Sequence, residues 1–372
     1  DIIEWHFQVA KQLGLRTTAL LSFNESPVHT DDYYAEKAKV LINLGVDVVN
    51  LSDPCGVLLP ERLRSLVETV RRALEGKAKL AFFAHSNTGI SADCYREAMD
   101  VGIDSLKTVT LPLAYGYSLP ASIHMLAAAR ELGIRVGVNE RRVREIDDYF
   151  YCSAYQEGKP LGRAVQFDQE KYRSFAAHQI PGGMMSNLEN QLSELGLIHK
   201  MPEVLEEAAV VRGELGYPVM VTPFSQLVGV QAVFNVIEGE RYRTVPQELN
   251  LYVRGAYGKP AAPIDPNVMD RILAGGEKEP IDPSKNFDEP FLKRVRAEQG
   301  PFKSDEEMLL HIFNTRETMA NFYQNKKVIN AHPVVKKPLA ALVQELSKRR
   351  DIKTVRIQKG RLSIRYQDTR QA

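Results

Sequence analysis

Across its first third the chain alternates an apolar, β-branched run with a helix-period segment, four times over, and then abandons the pattern. Thr17–Phe23, Val46–Leu51, Lys79–Ala84 and Ile103–Thr110 read as buried strands. Tyr33–Leu44, Pro60–Ala73, Ala92–Asp100 and Ala121–Leu132 read as the helices after them, with Pro60 suited to a first helical turn. Strands follow turns of one form: Leu44-Gly45-Val46, Val101-Gly102-Ile103, Leu132-Gly133-Ile134. Units of about 25–30 residues of this kind imply a parallel sheet with right-handed crossovers. A weaker fifth strand is predicted at Ile134–Val138. Four clear units and a weak fifth do not close an eight-stranded barrel. A doubly wound sheet also fits the alternation, but no GxGxxG or Walker loop supports one. Half of a barrel leaves two apolar sheet edges, which soluble proteins avoid. The missing units therefore come from another chain or from sequence outside this one.

The 372 residues suffice for one large domain or two. Lys+Arg 48 against Asp+Glu 47 gives a net charge of +1 with no sustained basic run, which argues against nucleic acid as the main partner. No apolar stretch is long enough to span a membrane. Cys55, Cys94 and Cys152 form neither a disulfide framework nor a CxxC knuckle, so a reducing cytoplasm is expected. The start, Asp1-Ile2-Ile3-Glu4-Trp5-His6, carries acids where a signal peptide carries Lys or Arg. It also lacks an initiator Met, so the chain is expected to begin downstream of other sequence.

From about Asp147 the alternation stops, and residues 169–330 read mostly as helices broken by Pro181-Gly182-Gly183 and Gly258–Pro266. Asp265–Pro301, rich in Pro, Lys and Glu, reads as a surface crossing, followed by a helix over Asp305–Asn325. A small terminal unit combines helix Pro338–Lys348, strand Lys353–Lys359, a Gly360 turn and strand Leu362–Tyr366. The expected division is 1–146, a parallel βα part; 147–330, a helical part; and 331–372, an α-β-β tail.

In parallel βα architectures the loops after the strand C-termini carry the chemistry. Here these are Asn24–Thr30, Ser52–Leu58, His85–Ser91 and Leu111–Ser118. They gather Ser52, Asp53, His85, Asn87, Thr88 and Lys107 as candidates. Asp53-Pro54 and Asn87-Thr88-Gly89 are equally good turn formers.

The segment His178-Gln179-Ile180-Pro181-Gly182-Gly183-Met184-Met185-Ser186-Asn187-Leu188 closely resembles the HQxPGGMxSNL segment of biotin-dependent carboxyltransferases. These include pyruvate carboxylase, oxaloacetate decarboxylase and transcarboxylase subunits. Ser26-Pro27-Val28-His29-Thr30 matches the family's SPVHT loop, and Asp53–Pro60 is similar to its KDMAGLLKP segment from the Asp onward. His85–Gly89 resembles the second half of H-x-H-x-T-x-G. Val221–Gln226 resembles VTPxS, and Tyr257–Pro260 resembles the YGKP turn. The resemblance implies an α/β fold: the C-terminal half of a TIM (β/α)8 barrel followed by a helical funnel. The first four strands are absent, with the Asp metal ligand and the Arg/Gln substrate contacts that the family places there.

In the family a divalent metal is held by that Asp, a carboxylated Lys and two His, and polarises a 2-oxo acid. Ser52 stands at the Lys position and Phe83 at the first His position, leaving His85 as the one remnant, so the usual metal is not expected. Asp53 is a retained family residue, either a cap or a ligand, and Lys107 is a candidate replacement cation. The resemblance gives Thr222 a proton shuttle between biotin and enolate, which a hydroxyl performs without changing charge. Ser52, His85, Asn87, Tyr115 and Ser225 are the candidate contacts for substrate or biotin. Tyr115 and Tyr117 are either aromatic walls or packing residues.

Two functions follow. One is a carboxyltransferase moving CO2 between carboxybiotin and a small 2-oxo acid or acyl substrate. The other is a non-catalytic paralogue completing a carboxyltransferase assembly. A metal-independent lyase is a third, weakened because no barrel-strand lysine is clearly placed for a Schiff base. No Met-Lys-Met biotin-attachment motif occurs, so biotin must arrive on another chain or segment. The expected partners are a chain supplying the first half of the barrel, a biotin carboxyl carrier and a biotin carboxylase, in an oligomer. Leu339–Tyr366 weakly resembles the helix-hairpin before the biotinyl domain of carrier subunits, and a generic α-β-β tail describes it as well.

Overall fold

The computed structural model describes residues 2–283, 291–329, 354–359 and 362–367. Helix α1 (Ile2–Gln12) precedes four βα units. These are β1 (Thr18–Ser22) with α2 (Asp31–Asn43), β2 (Val48–Asp53) with α3 (Pro60–Leu74), β3 (Lys79–Ala84) with α4 (Ser91–Asp100), and β4 (Ser105–Leu106) with α5 (Ser122–Glu131). The strands pair in sequence order, all parallel. The helical part runs through α6 (Glu140–Gln156), α7 (Gln169–His178), α8 (Gly182–Glu194), α9 (Met201–Glu214), α10 (Phe224–Glu238), α11 (Gln247–Val253) and α12 (Pro266–Ala274). Two compact units result, Asp1–Asn286 and Phe287–Ala372. The second contains α13 (Phe291–Gln299), α14 (Asp305–Phe313), α15 (Arg316–Ile329) and an antiparallel pair, β5 (Thr354–Lys359) with β6 (Leu362–Gln367). The helix expected at Pro338–Lys348 and the Gly360 turn lie outside the described residues.

Alternation along the strands decides what each face touches. Ala19, Leu21, Val49, Leu51, Leu80 and Phe82 are buried in the main core with Tyr34 and Ala38 of α2 and Leu63, Leu66, Val67 and Val70 of α3. The same core continues into the helical part through Ile180, Leu188, Val211 and Val228. The register places the other side chains in rows across the opposite face: Leu20, Asn50 and Ala81, then Ser22, Ser52 and Phe83. That face is the interior of half a barrel. Its polar residues explain why it cannot serve as a second hydrophobic core. Leu20 is 53% exposed there.

Local chemistry sets the helix ends. The Thr30 hydroxyl accepts from the Tyr33 amide to cap α2, with Asp31 and Asp32 in the positive first turn. Asp168 and Asp265 cap α7 and α12 in the same way.

Several expectations are corrected. Ile134–Val138 forms no strand; it is irregular, with Val138 53% exposed. Strand β4 is limited to Ser105–Leu106, with one isolated bridge from Val109 to Ala121. Helix α6 begins at Glu140, inside the part read as βα. The crossing expected at Asp265–Pro301 contains α12 and α13. The helix expected over Asp305–Asn325 is two helices, α14 and α15, parted at Asn314-Thr315.

Candidate functional site at the strand C-termini

Loops leave the C-terminal ends of β1, β2 and β3 together, and their polar side chains divide by environment. At the end of β2, Ser52 is buried and its hydroxyl lies 2.9 Å from that of Ser22 on β1. Phe83, in register with Ser52, puts a ring where a polar group would otherwise face the interior. His85, two residues on, has its ring centroid 6.1 Å from that of Phe83. Its Nδ1–H donates to the Tyr117 carbonyl at 2.7 Å, which leaves the lone pair on Nε2. Burial lowers the His85 pKa, so the ring is neutral at neutral pH.

Lys107 lies one residue past β4, with its amide donating to the Phe82 carbonyl at 3.0 Å. Its Nζ sits 5.4 Å from the centre of the Phe83 ring. The side chain is exposed. Ser52, Phe83, His85 and Lys107 are thus brought together at one end of the sheet, and Lys107 is a lysine at a barrel-strand end.

Asp53 has a different surrounding. It is fully buried; Oδ1 accepts from the amides of Cys55 (3.2 Å) and Gly56 (2.8 Å), and Oδ2 from Leu58 (2.7 Å). Burial pushes its carboxyl up to about 6, against the pull of those amides. Both oxygens are committed to shaping the loop after β2, as a cap would be. Asn87 bridges that loop to the next: its Nδ2 donates to the Pro54 carbonyl at 3.2 Å, while its buried Oδ1 has no partner. The start of α8 presses on it. A Cβ at Gly182 would lie 2.6 Å from Asn87 Oδ1 and 2.8 Å from Tyr117 Cβ, so only glycine fits. Tyr117 itself donates its hydroxyl to Glu189 at 2.9 Å.

Tyr115 is not part of this group. It is buried in a small separate cluster with Ala114, Ala121 and Ile123, and its hydroxyl pairs with His124 Nδ1. It packs α5 against the loop and forms no wall of the site.

The two remaining candidates come from the helical part. Thr222, at a cis Thr222-Pro223 peptide, is exposed. Its segment is tied to the loop after β1, because the Met220 amide donates to Asn24 Oδ1 at 2.9 Å. Ser225, in the first turn of α10, is fully buried with no partner for its hydroxyl. It lines an apolar cavity of about 220 Å3 with Ile180, Met184 and Leu188. Among the described residues no hydrogen bond joins Thr222 to His85 or Lys107.

A network that sequence reasoning did not single out holds these loops in place. Gln179 adopts left-handed backbone (φ 49°) and is fully buried. Its Nε2 donates to the carbonyls of Glu25 (2.6 Å) and Ala176 (3.0 Å), while its Oε1 accepts from the Glu25 amide at 3.0 Å. Arg212 also donates to the Glu25 carbonyl, at 2.6 Å, and the Cys55 thiol donates to the Gln179 carbonyl at 3.0 Å. The His-Gln pair before Pro-Gly-Gly was the available signal. A buried amide there has a job beyond turn formation.

Two buried histidines flank this network. The hydroxyl of Ser26 accepts from the amides of Val28 and His29, which leaves its proton for His29 Nδ1 at 2.6 Å. His178 Nδ1 accepts from the Ile180 amide at 2.9 Å. Burial, helped by the Arg212 charge, lowers both pKa values to about 4, against about 6.5 unfolded. The unfolded chain therefore binds more protons between pH 6.5 and 4. Their contribution, about 3 kcal/mol each, is present above pH 6.5 and lost as pH falls toward 4. Asp53 works in the opposite direction but is one group against two. The urea midpoint should fall steadily from pH 6.5 to 4, and the fall should flatten in His29→Gln/His178→Gln. A midpoint level or rising across that range would contradict the assignment.

The donor set does not fit a divalent metal. Ser52 is turned to Ser22, Phe83 offers no lone pair, Asp53 is used by backbone amides, and His85 supplies one imidazole. Among the described residues no group of three or more His, Cys, Asp or Glu could hold an ion.

Comparison with known proteins accords with this arrangement. Residues 176–364 match the conserved carboxylase domain. A pyruvate carboxylase subunit of Methanocaldococcus jannaschii is 34% identical over 83% of this chain and 54% of its own length. The 2-oxoglutarate carboxylase large subunit of Hydrogenobacter thermophilus is 31% identical over 90% of this chain and 51% of its own length. The chain thus spans about half the length of the curated relatives it matches. Among solved structures, the carboxyl transferase domain of Rhizobium etli pyruvate carboxylase with pyruvate and biocytin superposes with a TM-score of 0.71. It is 21% identical, covering 79% of this chain and 51% of that one, and shares the fold.

Proposed function

Because the chain belongs to the conserved carboxylase domain family of biotin-dependent carboxyltransferases, we propose that it is the carboxyl-transferring part of a biotin-dependent carboxylase or decarboxylase. It moves CO2 between carboxybiotin and a small 2-oxo acid or acyl substrate. The observation that carries this reading is the Glu25–Gln179–Arg212 network together with the Met220–Asn24 bond, which tie the helical part to the loop after β1. The segment leading to the exposed Thr222 is thereby anchored to the loop after β1.

No step runs through a metal, since the residues present do not fit one. Lys107 supplies positive charge that draws the substrate carboxylate. His85 Nε2 accepts a hydrogen bond at the same end, and the unpartnered Asn87 Oδ1 marks the floor between two loops. Biotin, when delivered, supplies the carboxyl group. Thr222 takes a proton at its hydroxyl as it gives one up, so a proton passes between biotin and the substrate carbon with no charge left on the protein. Ser225 lies one helical turn beyond, with its buried hydroxyl lining the apolar cavity beside Ile180 and Met184. Asp53 acts as a positioning residue that shapes the loop after β2.

In this reading residues 1–146 are the second half of the barrel, 147–330 the helical carboxyltransferase part, and 331–372 a small tail. Biotin arrives on a carrier, is charged by a biotin carboxylase, and the barrel is completed by further polypeptide, in a cytoplasmic oligomer. No helix among the described residues is long and apolar enough to cross a membrane. Native purification of the tagged chain tests the partnership. A biotinylated polypeptide should copurify, and elemental analysis should find less than about one transition metal per site. Absence of any biotinylated partner would contradict the reading. Stoichiometric zinc, manganese or cobalt would contradict its metal-free part.

A further inference from the structure

Lys107 is more than a fixed charge. Its amine stands at the C-terminal end of a barrel strand, 5.4 Å from the centre of the Phe83 ring, and the His85 ring lies 6.1 Å from the same centre. Phe83 occupies the position from which a ligand would otherwise face the interior, so it forms an apolar wall beside an amine. The His85 imidazole stands beside the same ring, and its hydrogen bond to the Tyr117 carbonyl fixes the lone pair on Nε2. Among the described residues no carboxylate forms an ion pair with Lys107, so no acid there ties up the amine. An amine, an apolar wall and a neutral base at the mouth of a barrel are the components of nucleophilic catalysis on a carbonyl.

We propose that Lys107 Nζ forms a covalent imine with the carbonyl carbon of a 2-oxo acid. The substrate class rests on the carboxyltransferase reading; the covalent step does not. His85 Nε2 takes a proton from the ammonium, directly or through one water. The freed pair on Nζ forms the C–N bond at C2, and the carbonyl π pair moves to oxygen, which takes up a proton. That oxygen leaves as water, giving a protonated imine. For a 2-oxo acid bearing a carboxylate on C3, the bond from C3 to that carboxylate breaks. Its electron pair enters the enamine and CO2 leaves; protonation of C3 and hydrolysis return product and free amine. In the carboxylating direction the protonated imine first gives up a proton from C3 to become the enamine; C3 then forms its bond to the carboxyl carbon as the N–C bond of carboxybiotin breaks, and the biotin nitrogen keeps that electron pair and takes a proton. The cationic nitrogen takes the electron-sink role for which the site has no metal.

The natively purified complex is treated with borohydride in the presence of pyruvate, and separately of 2-oxoglutarate, then digested and weighed. One of the two should leave the peptide holding Lys107 heavier by that acid less one oxygen atom, with turnover lost in parallel. Lys107→Arg keeps the charge but cannot form the imine, so it should give no adduct and lower turnover more than about 10³-fold. An unmodified Lys107 in a complex that turns over 2-oxo acids overturns the imine and leaves the carboxyltransferase reading standing. So does an adduct confined to another lysine, or near-wild-type turnover in Lys107→Arg. A trapped Lys107 in a complex without carboxyl transfer would uphold the imine and remove the carboxyltransferase reading.

Discussion

Thr222→Ala should lower carboxyl transfer by about 10²–10⁴-fold, the range for loss of a positioned proton relay. Thr222 is exposed at the start of α10, so the substitution should leave the thermal midpoint within the small range of a surface change. Thr222→Ser keeps the hydroxyl and should retain much of the activity. The loss should appear in kcat, because a relay acts on the transition state and not on substrate binding. Wild-type turnover in Thr222→Ala would remove the relay and the main reason for assigning chemistry to this loop.

Gln179→Ala should be the most damaging single change to the site's framework. The side chain makes three hydrogen bonds, two of them to both polar groups of the Glu25 backbone, and it is fully buried. Removing it leaves a cavity and unmet donors and acceptors, a cost of about 2–4 kcal/mol. The denaturant midpoint should drop with an unchanged slope. Because Arg212 continues to hold the Glu25 carbonyl, the loop should shift without being released. Activity should fall even at temperatures where the variant is fully folded. A variant as stable as wild type would mean that the Glu25 contacts are replaced by water at no cost.

Much of the fold was legible because parallel strands announce themselves. Val48–Asp53 is buried at every position, and its alternation of Val49 and Leu51 with Asn50 and Ser52 separates the helix-facing side from the interior side. Ile134–Val138 carries Ile134, Val136 and Val138 in alternation yet joins no ladder, and hydrogen bonding, not side-chain pattern, decides whether a strand forms. The Pro-rich composition of its surroundings masks helix α12, although Asp265-Pro266 is a cap followed by a first-turn proline.

The site was legible by type of residue and not by direction. Ser52, His85 and Lys107 do meet at one end of the sheet, since strand order and the period of two bring them there. Nothing in the sequence tells that Asp53 turns its oxygens onto three amides, or that Tyr115 takes a positive φ and packs onto His124. Those outcomes depend on loop backbone. The motif alone gives Gln179 no role, because its partner Glu25 lies 154 residues away in the chain.

The central claim is that this chain transfers a carboxyl group without a divalent metal. The direct measurement is isotope exchange in the native complex. Labelled pyruvate is mixed with unlabelled oxaloacetate, with and without excess chelator, and the appearance of label in oxaloacetate is followed. The same is done for labelled 2-oxoglutarate and its C3-carboxylated product. Biotin-dependent exchange that persists in chelator with one of the pairs is the predicted result. Exchange abolished by chelator and restored by manganese or zinc, or no exchange with either pair, would contradict it.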